Sequence, residues 1–141
     1  MAGKSKLKFY SLLFIIGFAI NWVWELNQMS YFAGKPGSNY AEGVFYCSLA
    51  SIVDGVTILS IYFLASKIFK PASLKFYLLT CLIGALSAII FENVAFYLEL
   101  WSYKESMPIV PVIDVGLLPF VQLISLVPLS IFIANFIYRR D

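Results

Sequence analysis

Four long apolar stretches, separated by short polar breaks, set the pattern of this chain. The first runs from about Phe9 to Met29 and gives way to a segment, Ser30 to Glu42, whose Gly34, Lys35, Pro36, Gly37, Ser38 and Asn39 are turn formers. The second covers about Gly43 to Ser66 and closes on Lys67 and Lys70, and Pro71 then breaks the chain before Lys75. The third takes about Phe76 to Trp101. A short loop with Lys104, Glu105 and Pro108 leads to the fourth, about Ile109 to Tyr138, ahead of Arg139 and Arg140. Each stretch reaches the roughly 20 residues a helix needs to cross a bilayer core. The pattern predicts an all-α polytopic membrane protein, a single four-helix transmembrane bundle over residues 1–141 with spans at about 9–29, 43–66, 76–101 and 109–138. Pro111, Pro119 and Pro128 predict a kink or a re-entrant start in the fourth span, tolerated where neighbours satisfy the freed carbonyls.

The polar positions inside these stretches are not scattered. Gly17, Asn21, Glu25 and Gln28 step by four, four and three, which places them on one face of a helix. Ser48, Ser51, Asp54, Thr57 and Ser60 recur every third residue, a stripe that spirals slowly around the second span. Gly84, Ala88 and Glu92 step by four, with Glu99 seven further on and Asn93 beside Glu92; the two small residues predict close approach of a neighbouring helix. Asp114, Gln122 and Ser125 share a face of the fourth span. At about 1.5 Å of rise per residue, Glu25 and Asp114 fall roughly 5–10 Å from one boundary, Glu92 about 13 Å and Asp54 and Gln122 about 16–20 Å. The opposite half, with Leu12 to Ile16, Tyr62 to Leu64, Phe76 to Leu79 and Ile131 to Ile133, is almost wholly apolar. A cavity opening toward the polar half above a sealed floor is the expectation.

Composition agrees: 61% of residues are hydrophobic and 13% charged, against roughly 45–50% and about 25% in soluble domains. Eight of the ten basic residues (Lys4, Lys6, Lys8, Lys67, Lys70, Lys75, Arg139, Arg140) fall on one side of the predicted bundle, and only Lys35 and Lys104 on the other. The positive-inside rule therefore places both termini in the cytoplasm and the two Trp/Tyr-bearing loops outside, in the plasma membrane of the cell. The stretch after Lys4, Lys6 and Lys8 starts as a signal peptide would, but runs on through Trp22, Trp24 and Glu25 without a small-residue cleavage pattern and reads as a retained anchor. A net charge of +2 gives no basis for a nucleic-acid partner. Cys47 and Cys81 lie near opposite faces and read as packing residues, without a disulfide.

The chain has no histidine, which removes the commonest metal ligand and near-neutral proton carrier. No metal cluster, nucleotide-binding loop, Ser-His pair or cofactor motif is present, so acid–base work falls to carboxyls, tyrosines or lysines. A charge at membrane depth costs on the order of 2.5–3.5 kcal/mol. With no Lys or Arg inside the spans, Asp54 and Glu92 have no cationic partner at their depth. At least one is expected to hold its proton at neutral pH and to serve as a membrane acid, and these two are the catalytic candidates. Glu25, Asn21, Gln28, Asn93, Trp101, Tyr103, Asp114 and Gln122 are the binding candidates. For Asn21, Gln28, Ser51 and Gln122 the plainer alternative is hydrogen bonding between helices, and for Glu25 and Glu99 it is snorkelling to water. Trp22, Trp24, Tyr31, Tyr40, Trp101 and Tyr103 fit an aromatic belt, with Trp101 and Tyr103 also placed to close a pocket.

Asn21-Trp22-Val23-Trp24-Glu25-Leu26-Asn27-Gln28 resembles an N-x-x-W-E-x-x-Q signature. Trp101-Ser102-Tyr103, then Met107-Pro108 and Gly116 to Gln122, resembles W-x-Y…M-P…G-L-x-P-x-x-Q. Together they are similar to a group of small bacterial four-helix membrane proteins without assigned function, which implies the bacterial inner membrane. Glu92, Trp101, Tyr103 and Pro108 also resemble elements of the lycopene cyclase domains and carotenoid hydratases, although the Pro-x-Glu-Glu element of the cyclases is absent; that resemblance implies an isoprenoid ligand. The architecture is similar to the four-helix sterol isomerase fold, which holds apolar ligands between buried acids and aromatics. Three function classes stand: a pocket that binds or transforms an apolar or amphipathic lipid or isoprenoid; a small proton- or cation-linked transporter or channel, as a homo-oligomer; and a non-catalytic accessory protein whose stripes join helices.

Overall fold

The computed structural model describes residues 2–34 and 37–139, and the side chains from Lys6 onward. Lys35 and Pro36 of the predicted turn, and Arg140, lie outside the described residues, as does the side chain of Lys4. Four helices, α1 (Ala2–Gln28), α2 (Tyr40–Ile68), α3 (Leu74–Tyr97) and α4 (Leu117–Tyr138), make up most of the chain. All four are long and apolar enough to cross a membrane. α1 packs most extensively on α2 and α4, and α3 on α4. Phe9 near the start of α1 meets Tyr138 at the end of α4, with ring centroids 5.3 Å apart, so both termini share one end of the bundle.

Local chemistry sets the helix ends. The side chain of Asn39 accepts from the Glu42 N–H at 3.0 Å and starts α2, and Ser73 accepts from the Phe76 N–H at 3.2 Å and starts α3; such caps satisfy donors that a helix leaves unpaired. α3 stops at Tyr97, four residues before the predicted Trp101, and Glu99 then takes a positive φ of 53°. The fourth helix begins at Leu117 instead of Ile109. Residues 109–116 form a hairpin, β3 (Ile109–Val110) against β4 (Val115–Gly116), sealed by Leu117 N–H donating to Pro108 O at 2.7 Å. Val, Ile and Pro favour extended backbone and Pro111 cannot donate within a helix, so an apolar run that looks helical by hydropathy alone folds back on itself. A second ribbon, β1 (Phe32–Ala33) with β2 (Ser102–Tyr103), ties the α1–α2 loop to the α3–α4 loop. Lys104 reinforces it, its N–H donating to Tyr31 O at 3.0 Å and its Nζ to Ser30 O at 2.9 Å.

Burial is inverted relative to a water-soluble bundle. Leu78 and Ile90 on α3 are 60% and 57% exposed, whereas Asn21 is fully buried and Asp54 and Glu92 are 6% and 5% exposed. Toward the termini end the core is apolar: Leu13, Ile58, Ile61, Phe76, Val127 and Ile131 pack together. Thr80 and Ser130, buried in the same half, donate to carbonyls of their own helices. Small residues let the helices close up. A Cβ on Gly84 would stand 2.6 Å from the Leu123 carbonyl oxygen, and one on Gly17 2.9 Å from Ile58 Cδ1.

Candidate functional site

The polar face of α1 meets the other helices near the loop end. Gln122, one and a half turns into α4, is the joint. Its Nε2 lies 2.9 Å from Asn21 Oδ1, 2.9 Å from Glu25 Oε1 and 3.1 Å from Asp54 Oδ2. An amide nitrogen carries two hydrogens, so three acceptors compete for two donors. Gln28 donates to Gln122 Oε1 at 2.8 Å and to Glu25 Oε1 at 3.0 Å, and Trp24 Nε1 donates to Gln28 Oε1 at 3.1 Å. Asn21 in turn donates to Gly17 O at 2.8 Å. From the Trp24 indole the hydrogen bonds thus run in one direction through the amides, Gln28 to Gln122 to Asn21, and this order fixes which end of each amide is oxygen.

Glu92 is held separately. Its Oε2 accepts from Tyr103 OH, by a very short bond, and from Trp101 Nε1 at 3.3 Å. The Gly116 N–H donates to Tyr103 OH at 2.8 Å. Both donors come from the loop after α3, positioned by the β1–β2 ribbon, and the ring of Tyr103 is wedged between Phe32 and Phe96 with centroids 5.4 and 4.7 Å away. Burial raises the Tyr103 phenol well above its usual range; the hydrogen bond to Glu92 and the Glu92 charge add to this and outweigh the Gly116 N–H. Tyr103 therefore keeps its proton and serves Glu92 as a hydrogen-bond donor. Glu25, Asp54 and Glu92 feel one another electrostatically, and among the described residues no Lys or Arg joins the network.

Eight of the ten candidate residues fall in these two clusters: Asn21, Glu25, Gln28, Asp54 and Gln122 in the amide network, and Glu92, Trp101 and Tyr103 in the clasp. Asn93 does not; it is exposed and donates to Ile89 O of its own helix at 2.7 Å. Asp114 does not either. It is exposed in the β3–β4 turn with φ of 50°, off the helix that would have aligned it with Gln122. Ser51, Thr57 and Ser60 each donate to the carbonyl four residues earlier, so most of the α2 stripe is satisfied within its helix. Trp22 reaches across to Ser48 at 3.0 Å. Trp24, Met107 and Gly116 belong to the site without having been singled out for it. Trp24 sits one turn before Gln28, a visible spacing. Met107 and Gly116 pack behind Tyr103, a Gly116 Cβ falling 2.9 Å from its ring and 3.1 Å from Met107 Sδ.

Beside Trp101 an open groove of about 820 Å³ is lined by Phe96, Leu98, Leu100 and Trp101 together with Glu99, Ser102 and the Ala33–Gly34 segment. The Trp101 indole stands between this groove and Glu92. Among the described residues no three His, Cys, Asp or Glu side chains are grouped to hold a metal ion.

Fold and site define a class: a four-helix bundle, apolar outside, with a carboxyl–amide network at its centre and a Trp/Tyr-clasped glutamate under its loops. No family model, no curated protein and no solved structure matches the chain.

Proposed function

We propose that the chain is a multi-pass protein of the cell membrane, in bacteria the inner membrane, that holds an apolar or amphipathic lipid or isoprenoid in the groove beside Trp101 and presents the Glu92–Tyr103 pair to it. The termini face the cytoplasm and the loop end faces outward. The observation that carries the proposal is the placement of Glu92: a buried carboxyl, held by an indole and a phenol, one side chain behind a wide groove of mixed polar and apolar lining, as an amphipathic ligand needs. Membrane placement is supported by the inverted burial, because Leu and Ile side chains on the outside and Asn, Gln, Asp and Glu inside are stable only where the surroundings are themselves apolar.

Chemically, a swing of Trp101 opens the groove to Glu92. With a proton on Glu92, the pair can hydrogen bond to or protonate a ligand atom, and Tyr103 returns to stabilise the carboxylate left behind. Aromatic walls at Phe96 and Trp101, the latter backed by the Phe32 ring, suit a ligand that carries positive charge along the way. A proton- or cation-conducting assembly is the weaker alternative. It needs a polar route past Leu13, Ile58, Val127 and Ile131, each buried and apolar.

The test is mass spectrometry of lipid co-purified with wild type and with Glu92→Gln. Loss or exchange of a retained species in the variant is expected, and an identical profile at unchanged stability removes Glu92 from the site. For orientation, a cysteine at position 104 is expected to react with an impermeant label from outside the cell, and labelling only from the cytoplasm overturns the topology.

A further inference from the structure

At the termini end a second cavity, of about 330 Å³, lies between α3 and α4. The rings of Tyr77, Phe132 and Phe136 line it together with Ala72, Asn135 and Arg139. Asn135 Nδ2 is closed off from solvent with no hydrogen-bond partner, the only such buried side-chain N or O among the described residues. A donor in that state wants an acceptor. Charge says which kind. Among the described residues Arg139 is the one ionised side chain in the lining and no carboxylate lines the cavity, while exposed Lys70 and Lys75 lie two residues before Ala72 and Tyr77. The missing acceptor is therefore anionic. A free inorganic anion would leave the rings of Phe132 and Phe136 uncovered, whereas an acyl chain would lie along them.

We propose that this cavity binds the phosphate of an anionic phospholipid, with Asn135 Nδ2 and the Arg139 guanidinium donating to its oxygens and one acyl chain against Phe132 and Phe136. The site rests on the membrane placement of the helices but not on the Trp101 groove, from which it is separated by the apolar core. Basic pockets between helices at the cytoplasmic face are suited to such headgroups.

In the experiment the full chain in mixed micelles is titrated with phosphatidylglycerol or with phosphatidylcholine of the same acyl chains, and bound lipid is counted by native mass spectrometry. Wild type is expected to prefer phosphatidylglycerol. Arg139→Gln, at an exposed position that does not threaten folding, is expected to weaken phosphatidylglycerol binding about fivefold, the usual share of one basic residue near a membrane surface. Asn135→Leu should also weaken it, with phosphatidylcholine binding unchanged in both. Lys67→Gln is the control, since Lys67 Nζ sits 4.2 Å above the Phe63 ring and outside the cavity lining. Equal binding of the two lipids by wild type overturns the proposal. So does an equal loss in Lys67→Gln, which marks diffuse surface charge, or displacement of the lipid by millimolar inorganic phosphate, which marks a free-anion site. A chain that stays dissolved without detergent and binds neither lipid removes the membrane placement itself.

Discussion

Gln122→Met removes the joint of the network while nearly keeping its volume. Gln122 Nε2 has three acceptors within 3.1 Å and Oε1 accepts from Gln28, but two hydrogens allow only two donations, so at most three bonds form at once. Hydrogen bonds between membrane helices average about 0.6 kcal/mol and reach about 1.7. Three of them sum to about 2 kcal/mol, with a ceiling near about 5. Methionine fills similar space and leaves little cavity, so the loss is polar. Gln28 Nε2 and Asn21 Oδ1 each lose a partner, and an unsatisfied buried group costs about 1–3 kcal/mol, which moves the expectation to the upper part of that range. Unfolding in mixed micelles, followed by helical circular dichroism against the mole fraction of dodecyl sulfate, measures the loss. A cycle with Asn21→Leu isolates the one bond and should return a coupling of about 0.6–1.7 kcal/mol. A Gln122→Met protein within about 0.5 kcal/mol of wild type, with no coupling to Asn21, refutes the network.

Gly84→Ala is expected to destabilise by about 1–3 kcal/mol in the same assay, because the new methyl meets the Leu123 backbone oxygen at 2.6 Å. Gly43→Ala is the contrast: its methyl meets only the flexible Met29 Sδ, at 2.8 Å, and the loss should stay under about 0.5 kcal/mol. Tyr103 has its folded pKa raised above that of the unfolded chain, so its contribution is complete below pH about 10 and is lost as pH rises further. Wild type minus Tyr103→Phe absorbance at 295 nm should accordingly show no tyrosinate until the pH is well above that value, and an ordinary titration near pH 10 contradicts it.

How much of this was legible in the chain depends on whether a feature is local. The Asn21, Glu25, Gln28 face and the Gly84, Ala88, Glu92 face follow from helical spacing, and both point inward as read. Asn93 follows Glu92 by one residue, a turn of roughly 100° that carries it off the face. Asp114 was misplaced with the start of the fourth span, since hydropathy does not distinguish an apolar hairpin from the first turns of an apolar helix. The clasp on Glu92 was legible in its residues, Trp101 and Tyr103 having been placed to close a pocket, but not in its geometry. It depends on Phe32 pairing with Tyr103, and no periodicity encodes contact across that separation. Gln122 was recognisable as polar in an apolar run, but its meeting with Asn21, Glu25 and Asp54 is a property of packing order.

The most direct test of the Trp101 groove uses Trp101 as its own reporter. In a Trp22→Phe, Trp24→Phe background, Trp101 is the sole tryptophan, and a brominated fatty acid or brominated isoprenoid alcohol quenches it only on contact. Saturable quenching that Glu92→Gln weakens by about tenfold or more, the worth of about 1.4 kcal/mol of binding, is the expected result. Quenching that never saturates, or that Glu92→Gln leaves unchanged, would mean that the groove holds no ligand against Glu92.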